Sequence, residues 1–365
     1  MDPTAPSSRD RRSDLESGLL SRCRTWVDVM PWLRLVRVCR IAGSPVWLGL
    51  VAVVASAWWF AMTWTLPPNS NVQSDAAIRL LGKLPGDWIL TPEFAPAESW
   101  NAKPTNNTQP SNSLVASIVT LIFATPTWMA LARLGGLLTA GRDMPDVRHT
   151  LRWTWRRLHR GYIAVGLPIA CSLPCLAWIA LIRTAVSWTQ HPWLAWLTAP
   201  LTLVAALIIG LLLLAAKTAV PLSLAALATE PDPDPIDALS RGYEYTLRRL
   251  PQLCLHVLVA IALTTIVATA WTLIGYWSAW AATPLLRELG DAGFGFRTAK
   301  IFGGVVIATM MASMSGGIYL LLRESAGGQE VEDVAATPTP EPVRVPPLSK
   351  DDTNDQTKRS TAGSP

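Results

Sequence analysis

Trp193-Leu-Ala-Trp-Leu-Thr-Ala-Pro-Leu-Thr-Leu-Val-Ala-Ala-Leu-Ile-Ile-Gly-Leu-Leu-Leu-Leu-Ala-Ala216 is a run of 24 residues without a single charge. As a helix it would extend about 36 Å, enough to cross a hydrocarbon core of about 30 Å. Five more stretches share this property, at about 43–66, 113–132, 162–182, 253–280 and 301–322. Each is flanked by charge or Trp, and none has Asp, Glu, Lys or Arg at its centre. The fifth stays uncharged as far as Leu286, so a tilt or break near Pro284 is expected. The reading is an all-α integral membrane protein with six transmembrane helices and amphipathic cytoplasmic helices between spans two and three and spans four and five.

Composition agrees with this. Half of the 365 residues are hydrophobic and 16% are charged, against about 25% charged in a soluble domain. The 18 Trp outnumber the six Phe and five Tyr together, and Trp favours the membrane–water boundary, where its ring is apolar and its N–H stays wet. The first apolar run begins behind 42 residues containing eight Arg and is too long for a cleavable signal core, so it reads as an uncleaved anchor.

Lys and Arg set the orientation, because they concentrate on the cytoplasmic side. With six spans, 24 of the 31 basic residues fall on the side of the two termini and seven on the other. This predicts an inner-membrane protein with both termini in the cytoplasm, and it accounts for the net charge of +5 without nucleic acid as a partner.

Outside the membrane domain at 42–323, the Ser-, Arg- and Asp-rich segment 1–25 and the Pro- and Thr-rich tail 324–365 read as disordered. The Pro- and Asn-rich stretch 67–112 reads as a long external loop. Between them, 26–41 is expected to be an interfacial amphipathic helix. Its apolar row would be Trp26, Val29, Met30, Leu33 and Val36, beside Arg34, Arg37 and Arg40.

The two large cytoplasmic loops look alike. Thr154-Trp-Arg-Arg-Leu158 and Thr246-Leu-Arg-Arg-Leu250 lie 92 residues apart, each after an acidic, Pro-containing turn and before the next span. Both copies face the same side, so this would be a parallel repeat. In the first loop Arg148, Arg152, Arg156 and Arg160 recur every four residues and share one helix face, with Arg157 beside them. In the second, Arg241, Arg248 and Arg249 supply the charge. These eight arginines are the candidate site for anionic lipid headgroups or a protein partner.

The segment from Pro221 through Leu250, with Asp237-Ala-Leu-Ser-Arg241, Tyr243 and Tyr245 in place, resembles a family of uncharacterised bacterial inner-membrane proteins. The run Leu33-Arg-Leu-Val-Arg-Val-Cys-Arg-Ile41 followed by Ser44-Pro45 is similar to the segment before that family's first span. Arg133-Leu-Gly-Gly136 leading to Arg142-Asp143 is a weaker match. More distantly, the span–loop–helix units resemble the membrane domain of some glycerophosphodiester phosphodiesterases. The resemblance implies the fold and no activity, cofactor or catalytic residue.

The residues themselves point to no chemistry either. There is no His-Glu-x-x-His helix, Gly-x-Ser-x-Gly elbow or P-loop, and Ser313-Met-Ser-Gly316 lacks the Gly two residues before a protease nucleophile. Cys171 and Cys175 sit one turn apart without further ligands, so no metal or cofactor is expected. His256, about one turn inside span five, has no acidic partner in any span. In span six Gly304, Ala308, Ala312 and Gly316 recur every four residues and predict a helix-packing face, within the subunit or in a homo-oligomer. The function expected is a non-enzymatic scaffold or accessory protein that binds lipid or a partner. The alternative is a permease-type transporter subunit, whose Asp237-Ala-Leu-x-x-Gly242 would be the segment offered to an ATPase.

Overall fold

The structure, a computed structural model, describes residues 30–65, 110–189, 192–288 and 294–327. The expected disordered segment at 1–25, most of the external loop at 67–112 and the tail beyond Gly327 lie outside the described residues. The described chain forms a 3-10 helix, Pro31–Gly43, and then α1 (Pro45–Thr65), α2 (Pro110–Thr139), α3 (Val147–Thr189) and α4 (Pro192–Thr229). After a turn come α5 (Pro235–Arg248), α6 (Leu250–Glu288) and α7 (Phe294–Gly327), and no strand occurs among the described residues. Six of these helices, all but α5, are long and apolar enough to cross a membrane. The all-α, six-span expectation holds.

The ends of the spans differ from the expectation. Span two continues through Arg133 to Thr139, and span four runs past Lys217 to Thr229. Helix α3, at 43 residues, would measure about 65 Å, twice the hydrocarbon thickness. Its arginine-rich first four turns and the third span are one uninterrupted helix. In the second half the corresponding helix α5 is separate, broken from α6 at Arg249, whose backbone leaves the helical region (φ −119°, ψ 30°). The difference traces to one position. Leu158 is followed by His159, whereas Leu250 is followed by Pro251, and proline disfavours helical backbone before it and takes the start of a new helix. Pro284 lies inside α6 without ending it.

The turn after α2 depends on Gly141, whose φ of +78° is costly for a residue with a Cβ. There the Gly141 N–H donates to Leu138 O and the Arg142 N–H to Leu137 O, each at 3.0 Å, closing the helix with a Schellman arrangement.

Helix α7 is the core element, with most of its span buried. It packs along α2 and α6 and under the 3-10 helix. Its approach to α2 is set by glycines. A Cβ on Gly316 would stand 1.8 Å from Ala132 O, and one on Gly135 would stand 1.8 Å from Ser313 O. Only backbone this close explains why both positions lack side chains.

The segment before α1 differs from an interfacial α-helix. In a 3-10 helix side chains repeat every three residues, and here Leu35, Val38 and Ile41 form the buried row, while Val36 is exposed. Arg34, Arg37 and Arg40 follow the same period of three beside it. The buried row docks on the protein itself, Leu35 against Gly317, and Arg34 lies 3.6 Å from Glu324.

In contrast, α4 changes character along its length. Residues 215–230 are mostly buried, whereas Leu197, Leu201, Val204, Leu207, Leu211 and Leu214 are exposed. Away from the arginine-rich end, α3 and α4 therefore offer wide apolar faces, as lipid-facing helices do.

Candidate functional site

The arginine-rich end of the molecule is organised around the C-terminus of α4. The last four carbonyls of a helix lack intrahelical donors and carry the negative end of its dipole. Arginines from two neighbouring helices meet them. Arg133 of α2 donates from Nη1 to Ala228 O at 2.9 Å. Arg157 of α3 donates from Nη1 to Leu227 O at 3.1 Å and Glu230 O at 2.5 Å, and from Nη2 to Pro231 O. Both guanidiniums stack on the ring of Trp153, at 3.9 and 3.8 Å from its centroid, so one indole serves two like charges. Arg160, one turn on, pairs with Asp232 at 2.6 Å and donates to Pro233 O at 3.1 Å. The Asp232 carboxyl is held below its usual range by that hydrogen bond and charge.

The buried acidic residue of this turn is Glu230. Its Oε1 accepts from Tyr319 of α7 at 2.5 Å and from Arg241 of α5 at 2.7 Å. The other arm of Arg241 reaches Asp237 at 2.6 Å. A carboxylate withdrawn from water is tolerable here because it is paired and hydrogen-bonded.

Ala238 and Leu239 are buried, and the Tyr245 ring stands 6.0 Å from that of Tyr319. Tyr243 donates to Leu212 O at 3.1 Å, and burial pushes its hydroxyl pKa up to about 12. Gly242 lies directly on α4, since a Cβ there would meet Ala219 O at 2.5 Å. The Asp-Ala-Leu-Ser-Arg-x-Tyr-x-Tyr motif thus serves to dock α5 on α4 and α7.

The eight candidate arginines divide accordingly. Arg157, Arg160 and Arg241 hold the α4 turn. Arg249 caps α7, donating to Ser325 O at 2.5 Å and Ser325 Oγ at 3.1 Å, and Arg248 pairs with Glu244 at 3.0 Å on the α5 surface. Arg148, Arg152 and Arg156 are exposed and have no partner among the described residues. Between them lie Leu151 and Trp155, and the Trp155 ring is 77% exposed. The four-residue spacing that groups Arg160 with the other three is therefore split by what the turn at 230–234 needs.

Of the span-six stripe, Gly304, Ala312 and Gly316 are buried. Gly316 packs on α2, while Ala308 and Ala312 floor a cavity of about 80 Å³ against α1 and α2. Ser313 is buried, and its hydroxyl donates to Thr309 O at 2.7 Å. His256 Nδ1 lies 2.7 Å from Gln252 O. Among the described residues no cluster of three or more His, Cys, Asp or Glu could hold a metal.

Sequence reasoning passed over Arg133, Trp153, Glu230 and Tyr319. Arg133 looked like the first residue of a loop, and a signal against that was the uncharged run Leu134-Gly-Gly-Leu-Leu-Thr-Ala140 beyond it, over which the helix continues to Thr139. No family model, curated protein or solved structure matches the chain.

Proposed function

We propose that this chain is a multi-pass membrane scaffold or accessory protein of the inner membrane, with both termini cytoplasmic, that binds anionic lipid or a partner through the outward face of the α3 extension. The observation that carries this is the division of the arginine row. Its neighbours are consumed by the fold, while Arg148, Arg152 and Arg156 have no carboxylate partner among the described residues and surround an exposed Trp155. A photo-crosslinking residue in place of Trp155, in native membranes, tests it. A discrete adduct from this position, absent when the residue replaces lipid-facing Ile266, supports the reading. Equal, diffuse labelling from both counts against it.

A permease-type subunit is the second reading, favoured by a groove of about 410 Å³ between α6 and α7. Thr264, Thr265, Thr269 and Thr272 line it, which suits an uncharged cargo. Against this stands Gly242, whose place in the ATPase-like segment is explained by its contact with α4. Reconstituted vesicles without ATP-dependent uptake beside any candidate ATPase would retire it.

A further inference from the structure

We infer that the face formed by Arg148, Leu151, Arg152, Trp155 and Arg156 takes the phosphate-bearing headgroups of anionic lipids in the bilayer that the protein itself spans. This rests on the functional reading above and names the occupant of that surface.

Position argues first. Helix α3 is continuous from Val147 to Thr189, and its apolar stretch begins near Tyr162. Trp155 and Arg156 thus lie about 9–10 Å along the axis from that point, and Arg148 lies about 21 Å away. The headgroup layer is about 5–8 Å deep on each side of the hydrocarbon, so a modest tilt and the reach of long side chains bring Arg152, Trp155 and Arg156 into it, with Arg148 beyond it but within the reach of its surface potential. The helix is not free to roll the face away. Trp153, Arg157 and Arg160 on the other side are fastened to α2 and the α4 turn.

Chemistry argues second. A guanidinium offers forked donors that match phosphate oxygens, and an exposed indole between cations suits a boundary that is anionic outside and apolar beneath. An acidic peptide would satisfy the charges but give Trp155 and Leu151 nothing apolar to enter. Among the described residues the three arginines hold no carboxylate of their own, unlike Arg160, Arg241 and Arg248, which do.

At the usual contribution of a basic residue beside an anionic surface, three together give on the order of a hundredfold preference for anionic over zwitterionic lipid. The test uses the purified full chain in mild detergent, titrated with phosphatidylglycerol or phosphatidylcholine, with bound lipid counted by native mass spectrometry. The expected result is a strong phosphatidylglycerol preference that falls as KCl rises. It should be lost in R148Q/R152Q/R156Q and kept in R183Q, a control at the far end of the same helix. An unchanged preference in the triple variant overturns the inference. If that variant nevertheless loses the Trp155-site adduct to a protein, the scaffold reading survives and only the lipid assignment falls. If neither changes, both fall. Should the triple variant not fold, the native protein still decides, because a salt-insensitive preference contradicts the inference.

Discussion

The Tyr319 hydroxyl on α7 donates to Oε1 of Glu230, at the end of α4, across 2.5 Å and 89 residues of sequence. The same oxygen accepts from Arg241, so this one carboxylate ties α4, α5 and α7 together. Removing the hydroxyl alone, in Tyr319→Phe, keeps the ring beside Tyr245 and should cost about 1.5–3 kcal/mol, the range for a hydrogen bond to a charged group. Thermal unfolding of the detergent-solubilised protein measures this. A variant as stable as the native chain would show that the contact contributes nothing.

Adjacent arginines on α3 should behave in opposite ways. Arg157→Gln strips three carbonyls of their donor and should destabilise the protein by more than about 2 kcal/mol. Arg156→Gln, on the exposed side, should stay within about 0.5 kcal/mol of native. Paired melting curves check the contrast, and equal losses would contradict the division of the row.

Glycines should be equally unequal. Gly316→Ala places a Cβ 1.8 Å from Ala132 O and should cost about 1–3 kcal/mol or more as α7 is pushed from α2. Gly210→Ala meets nothing within 4 Å and, in mid-helix, should be neutral or slightly stabilising. Melting of the two single variants distinguishes a packing contact from a general intolerance of alanine in the spans.

The Asp232–Arg160 pair makes a pH prediction. The folded pKa of Asp232 is depressed below the ordinary 3.8, so its contribution is complete above about pH 5 and disappears as pH falls through the lower folded value. The difference in melting temperature between native protein and Asp232→Asn should be flat from pH 7 to about 5 and shrink below 4. A difference that grows on acidification would show the opposite sign and exclude the pair as its source.

The six spans were legible because charge-free runs of about 20 residues have one physical solution in a bilayer. Their ends were not. Arg133 reads as an exit from the membrane until the Trp153 ring and the α4 carbonyls are seen to receive it, and those partners lie 20 and 95 residues away. The period of four at Arg148–Arg160 put these four arginines on one helix, and α3 does contain them all. Which of its members turn inward depends on where the α4 turn arrives, some 72 residues later for Arg160, and no local pattern carries that. Pro251 stands in the sequence, but only the comparison with His159 in a continuous helix shows that it parts α5 from α6. The 3-10 segment was read with the wrong period because its three-residue rows, Leu35-Val38-Ile41 and Arg34-Arg37-Arg40, also admit an α-helical reading.

On the proposed function, Arg148, Arg152 and Arg156, and not the arginines paired within the fold, are what this protein offers to its surroundings. The most direct measurement is affinity purification of the tagged native chain and of R148Q/R152Q/R156Q from native membranes, with the associated lipids and proteins identified by mass spectrometry. The variant is expected in equal amount, with an unchanged melting curve and without the anionic lipid or partner that accompanies the native chain. Recovery of the same associated molecules with both proteins would contradict it.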